Sequence, residues 1–224
     1  MKQAYLGLTI ATLLAGCVTT EQATTAQEGA SIAQAVTAIA TGENLIQDPQ
    51  LTEFRSNSGK SDVWKKNSNK NAGLGDAGSS KDSAFGSEGS SRLRFIAATD
   101  DFSAEPGLSQ TVLGLQPNTD YQLSLYYNDK KGEQSISQLV YGVTGANGGT
   151  LATKTVHISE LADAPQGDVK KGFRQTAINF NSGSNVSVTV YANLKITDPS
   201  KIDSDGDIGK QTEVRIDEFK LSKI

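Results

Sequence analysis

The sequence predicts an all-β fold, a sandwich of two antiparallel sheets, on three observations. From residue 43 onward apolar and polar residues alternate, as in YQLSLYY (121–127) and VSVTVYANL (186–194). Period two is the mark of a strand with one buried and one wet face. The alternating runs are separated by clusters of Gly, Ser, Asn and Asp, such as 68–91 and 145–150, which favour turns. The 224 residues include 22 glycines and only 6% aromatics, and after residue 43 no long run has helical periodicity. Many short strands without a long helix bury their apolar faces best against a second sheet.

The first element is a leader. Lys2 precedes the apolar run Ala4–Leu14, and the small residues Ala15 and Gly16 stand before Cys17, the single cysteine of the chain. A run of about 11 residues is too short to span a bilayer comfortably and has the layout of a secretory signal. Leu14-Ala15-Gly16-Cys17 resembles the lipobox of bacterial lipoproteins. That resemblance implies cleavage before Cys17, thioether lipidation of its thiol and N-acylation of the new terminus. Two or more acyl chains suffice for stable anchoring. Val18 rather than Asp follows the cysteine, which by the same resemblance implies the outer membrane of a Gram-negative cell. Residues 1–16 are thus read as signal peptide and 17–42 as the lipidated cysteine and a tether. The tether lacks Pro, aromatics and basic residues, and Ile32, Val36 and Ile39 give it a short stretch of helical spacing. Cleavage removes one lysine and no acid from a chain of net charge −4, so the mature protein is slightly more acidic. Such a balance argues against nucleic acid as a partner.

Residues 43–224 are read as one sandwich. Strands are expected near 44–54, 62–67, 92–98, 108–115, 120–128, 137–144, 152–158, 173–181, 185–195 and 212–222. The turn between two of them has a local cause: Pro117 presets φ, Asn118 and Thr119 can bond their own backbone, and Gly114 permits close approach. LSQTVLGLQPNTDYQLSLYYND (108–129) resembles the central segment of jelly-roll carbohydrate-binding modules. ENLIQDPQLTEF (43–54), the lone Trp64, and GFRQTAINFNSGSNVSVTVYANL followed by EVRIDEFKLSKI complete the resemblance in the same order. It is strongest to the galactose-binding-like modules that accompany glycoside hydrolases and polysaccharide lyases, and it implies a jelly-roll β-sandwich.

Alternation also assigns faces. Tyr121, Leu123, Leu125 and Tyr127 fall inward with Tyr141, as do Val186, Val188, Val190, Ala192 and Leu194. Tyr126 and Tyr191 fall outward among Gln, Ser, Thr and Asn193. A phenol plate beside small polar groups matches a sugar ring, which has an apolar C–H face and a hydroxyl rim. The resemblance implies that Tyr126, Tyr191 and a loop tryptophan, Trp64, form the carbohydrate platform, with Asn193 beside them. Arg94 would add a charged contact, and Arg92, Lys65 and Lys66 suggest an anionic polymer such as a uronate. Outward tyrosines also suit any strand, and a lone tryptophan equally suits a core.

Asp217 in IDEF stands where these modules carry an acid that helps hold a structural calcium ion. The family's glutamate aligns with Thr52, and Glu53 lies one residue on, which in a strand reverses the face. DSDGD (203–207) has calcium-loop spacing at Asp203, Asp205 and Asp207 but lacks the glycine and terminal glutamate of that loop. His157 is the single histidine, which leaves no His–Cys zinc cluster, and Ser159 has no nucleophile elbow. The expectation is a non-catalytic lipoprotein that captures poly- or oligosaccharide at the cell envelope, beside polysaccharide-degrading enzymes or transporters. The competing expectations are an adhesion lipoprotein that contacts protein through the same sandwich, and, lower, a lyase or glycosidase.

Overall fold

The computed structural model describes residues 42–86, 88–164 and 172–224. The signal peptide, Cys17 and the tether with its helical stretch lie outside the described residues, apart from Gly42. The described residues belong to one compact unit, Ala40–Ile224. Among them, strands form two five-stranded antiparallel sheets. The first sheet runs β1 (Lys65–Asn67), β4 (Gly107–Leu113), β9 (Ser187–Ile196), β6 (Ser137–Gly145) and β7 (Thr150–Val156). The second runs β2 (Asp76–Ser80), β3 (Ser90–Arg94), β10 (Val214–Lys223), β5 (Asp120–Asp129) and β8 (Phe173–Asn181). The chain repeatedly crosses between sheets, so pairs such as β4 with β9 and β5 with β10 join distant parts of the sequence.

The inward positions behave as alternation requires. Leu123, Leu125 and Tyr127 are fully buried, and Val188, Val190, Ala192 and Leu194 join them in the core from the other sheet, with Tyr141 of the neighbouring β6. Burying each large apolar side chain contributes about 1.5–3 kcal/mol. The Tyr141 hydroxyl shares a 2.8 Å hydrogen bond with Thr176, which satisfies its polar end inside the core. Val186 departs from the expectation. It lies before β9, 59% exposed, and its carbonyl accepts from Gly114 and Leu115 in the neighbouring turn.

Two expected features change. The span 44–54 is not a strand. Asn44 and Leu45 bond to Leu221, and Phe219 N–H donates to Pro49, so this segment lies beside the end of β10, beyond the residues that pair with β3. A bulge in β10 with Glu218 at φ 52° marks the change of partner. The chain then turns helical as α1 (Thr52–Ser56), because the Asp48 carboxylate accepts the N–H groups of Glu53 and Phe54 at 3.0 and 3.1 Å. Leu51 and Phe54, three apart, are both fully buried, which is helical spacing inside an apparent alternation. Conversely, β2 lies inside the Gly/Ser-rich segment expected to be loop. Its DAGSS sequence has low strand propensity, but pairing with β3 and burial of Ala77 hold it as an edge strand. At the start of the domain Gly42 packs on the last strand, where an added Cβ would lie 3.3 Å from Lys223 N.

Candidate functional site

The outer face of the first sheet is built around Tyr191. Its row runs Lys65, Ser109, Tyr191, Gly142 and Thr153 across β1, β4, β9, β6 and β7. A Cβ on Gly142 would lie 2.7 Å from Tyr191 Oη, so glycine lets the phenol lie across β6. Its hydroxyl then donates to Thr153 Oγ1 at 3.0 Å. In the next row Asn193 stands between Gly107 and Val140, and a Cβ on Gly107 would meet Asn193 Oδ1 at 2.0 Å. On the other side lies a row of hydroxyls, Thr111, Thr189 and Thr144. The result is an aromatic plate and an amide among neutral donors and acceptors. Lys65 stands at one end.

The outer face of the second sheet is covered at Tyr126. Tyr126 stands opposite Asp217 and Gln175, and the ring of Phe85 meets it edge-on at 5.3 Å. Burial raises the Tyr126 phenol pKa, with smaller contributions from Glu218 and Asp163. Asp217 beside it is fully buried. Its Oδ2 accepts from Ala84 N–H at 2.8 Å and Ser83 Oγ at 3.1 Å, and its Oδ1 accepts from Glu218 N–H at 2.8 Å. Burial pushes this carboxyl up to about 8; the Ala84 N–H opposes the shift, the charge of Glu218 adds to it, and the Glu218 N–H and Ser83 hydroxyl oppose it further. Segment 81–86 therefore straps the sheet at Tyr126.

The expected platform is thus divided. Tyr126 and Tyr191 stand on the outer faces of different sheets and do not share one surface. Trp64 is 2% exposed, donates its Nε1–H to the Asp48 carbonyl at 3.0 Å and packs 4.7 Å from Phe219. Its ring fills the core, so it has no face to present to a sugar. Arg94 pairs with Asp76 at 3.7 Å and Glu213 at 4.0 Å, in a network where Arg92 and Arg215 also pair with Glu213. Only Tyr191 and Asn193 of the expected residues are brought together.

The donors around Asp217 do not fit calcium. A cation needs oxygen ligands, whereas Asp217 is occupied by N–H and O–H donors. Glu53 and Thr52 sit on α1, where Glu53 Oε1 accepts from Asp62 N–H at 3.4 Å. In DSDGD, Asp207 accepts from Lys210 N–H at 3.0 Å to cap α2 (Ile208–Thr212), and Asp203 accepts from Asp205 N–H at 3.1 Å. Among the described residues no group of three His, Cys, Asp or Glu is arranged to hold a metal. His157 likewise has a local role: its Nδ1 bonds Ser159 Oγ at 2.7 Å and its Nε2 the Ser135 carbonyl at 3.2 Å, which fixes the turn after β7.

Two crossed-over antiparallel sheets, face to face, complete the architecture. The chain has a jelly-roll β-sandwich fold. The enzymatically active domain of tailspike protein 4 from bacteriophage CBA120 is similar, with a TM-score of 0.52 at 11% identity. That match covers 81% of this chain but spans only 21% of the tailspike chain. The CBM22-1 xylan-binding domain of Paenibacillus barcinonensis Xyn10C matches with a TM-score of 0.44, at 16% identity over 84% of this chain and 98% of that one. An adhesin domain of Lys-gingipain from Porphyromonas gingivalis matches with a TM-score of 0.43, at 13% identity over 73% and 92%. At these identities the likeness concerns the fold alone. No family model matches the sequence. No curated protein matches it either.

Sequence reasoning missed Gly142, Gly107 and Thr153 as partners of the exposed plate. The signal was present: a glycine inside the alternating run LVYGVT marks a place where something lies close over the strand.

Proposed function

We propose that the protein is a non-catalytic carbohydrate-binding lipoprotein, anchored through Cys17, that captures poly- or oligosaccharide at the cell envelope on the outer face of its first sheet. The observation that carries this reading is the Tyr191 ring laid over Gly142, flanked by Asn193, Thr153 and the threonine row. A sugar ring stacks on such a plate and exchanges hydroxyl bonds with its neighbours. Lys65, at the end of the Tyr191 row, suits an acidic polymer. The lipobox supports anchoring in the outer membrane, where the protein would hold substrate for polysaccharide-degrading enzymes or transporters. Affinity electrophoresis in gels containing xylan, polygalacturonate, alginate or β-glucan tests the reading. At least one polymer is expected to retard the protein, and Tyr191→Ala to abolish the retardation. Unretarded migration in every gel would refute it. Mass spectrometry of the membrane-extracted protein is expected to find Cys17 acylated.

A further inference from the structure

A second polar site lies apart from the Tyr191 row. A cavity of about 420 Å3 opens between β1, the 3-10 turn Lys70–Ala72, the edge strand β2 and Arg92 of β3. Its charged lining is Lys66, Lys70, Arg92 and Asp76. The one carboxylate is already engaged, since Asp76 pairs with Arg94 at 3.7 Å. Arg92 reaches Glu213 through Nε at 3.6 Å, and its terminal nitrogens donate no hydrogen bond among the described residues. Lys66 and Lys70 make no ion pair among the described residues. Two lysines without an ion pair among the described residues thus stand beside Arg92, a concentration of positive charge on a chain of net charge −4.

The local backbone shapes the cavity around that charge. Gly59 has φ +82°, and a Cβ there would lie 3.2 Å from both Lys66 Nζ and Ser79 N. The ammonium and the Ser79 amide therefore converge on space that a side chain would fill. Ala77 N–H donates to Ser68 Oγ at 3.1 Å, so it points away from β3. Ser79, two residues along the same edge strand, directs its N–H the same way, toward the cavity it lines. The Lys66 ammonium is held too, with Nζ 5.5 Å from the Phe54 ring centroid. Partial burial lowers the Lys66 pKa; Asp76 opposes this and Lys70 and Lys60 reinforce it. A cation in that position is relieved by an anion bound beside it.

We propose that this cavity binds an anionic group carried by a saccharide, a carboxylate or a sulfate ester, through Lys66, Lys70, Arg92 and the Ser79 N–H. The guanidinium fork and the backbone amide suit the planar or tetrahedral oxygens of such a group. The saccharide source rests on the carbohydrate-binding reading above; the anion chemistry does not.

The test is a titration of the 15N-labelled full chain with glucuronate, glucose 6-sulfate and glucose. Glucuronate, sulfate ester or both are expected to shift the Ser79 and Gly59 amide resonances, and glucose to leave them in place. Which anion acts at the lower concentration identifies the source. The double variant Lys66→Met, Lys70→Gln removes both ammonium groups while keeping side chains of similar length, and its weakened site is expected to need about tenfold more ligand for the same shift. It should also lose about tenfold in affinity for the acidic polymer while retention on a neutral one is unchanged. Absence of any shift at Ser79, or a double variant that binds the anions as the parent does, overturns the proposal. If the anions shift Ser79 while no polymer is retained, the anion site stands and the platform reading falls.

Discussion

Tyr126 and Tyr191 occupy equivalent positions in alternating strands, yet the molecule treats them oppositely. Tyr191 lies over a glycine with its ring on an open face among neutral polar groups, with Lys65 at one end of its row, and is tied down by one bond to Thr153. Tyr126 is half-buried under Phe85, beside a buried carboxylate and a network of arginines and acids. The chain leaves the surface around Tyr191 open and folds a strap back over Tyr126. An outward side chain becomes a binding residue only where no part of the chain returns to cover it.

The contrast breaks most strongly at Arg215. It is 7% exposed, pairs with Glu213 and with Asp82 at 3.5 Å, and bonds Asn128 and Ser80. Arg215→Met is expected to cost about 2–3 kcal/mol in urea denaturation, below the usual loss for a broken buried pair because Arg92 and Arg94 remain near Glu213. A loss under 0.5 kcal/mol would show that the second sheet's outer face is not held by its charges.

Asp217 gives the next effect. Its folded pKa of about 8 lies above the unfolded value of about 4, so the folded state holds the proton more tightly. Its contribution is fully present below about pH 4 and is lost as pH rises toward 8. The melting temperature of the parent should therefore fall across that interval relative to Asp217→Asn, whose curve should be flatter. Parallel curves would mean that the Ala84, Ser83 and Glu218 donors keep the carboxylate charged throughout.

The tyrosines themselves sharpen the comparison further. Tyr126→Ala should lower stability by about 1–2 kcal/mol, through lost burial and the Phe85 contact, without changing saccharide retention. Tyr191→Ala should cost under about 1 kcal/mol, in the range of a cross-strand surface contact, yet abolish retention. The reverse pattern would move the platform to the second sheet. The smallest expected effect is that of chelation: because Asp217 is occupied by hydrogen-bond donors, EDTA should leave the melting temperature within about 1 °C.

Much of the sandwich is legible in sequence because period two is a direct image of burial. YQLSLYY and VSVTVYANL state which residues enter the core, and the structure places them there with the exception of Val186. Legibility ends where side-chain capping or tertiary pairing outweighs pattern. Asp48 caps a helix turn inside an apparent strand, and DAGSS becomes a strand because Leu93 and Arg92 stand ready to pair with it. The candidate site is less legible for a related reason. Alternation says that Tyr126 and Tyr191 point outward, but not which sheet each joins nor what folds back over it. The glycine opposite Tyr191 is a local signal; the strap over Tyr126 depends on contacts more than 100 residues apart, such as Ala84 to Asp217.

The packing of Gly42 against Lys223 has an architectural consequence. The domain is entered and left at one corner, so its two ends can be joined by a short linker and the chain reopened at an exposed turn such as 146–149. Such a permuted module would keep every pairing of both sheets while freeing the original corner, and it could be spliced into a loop of another protein like a cassette.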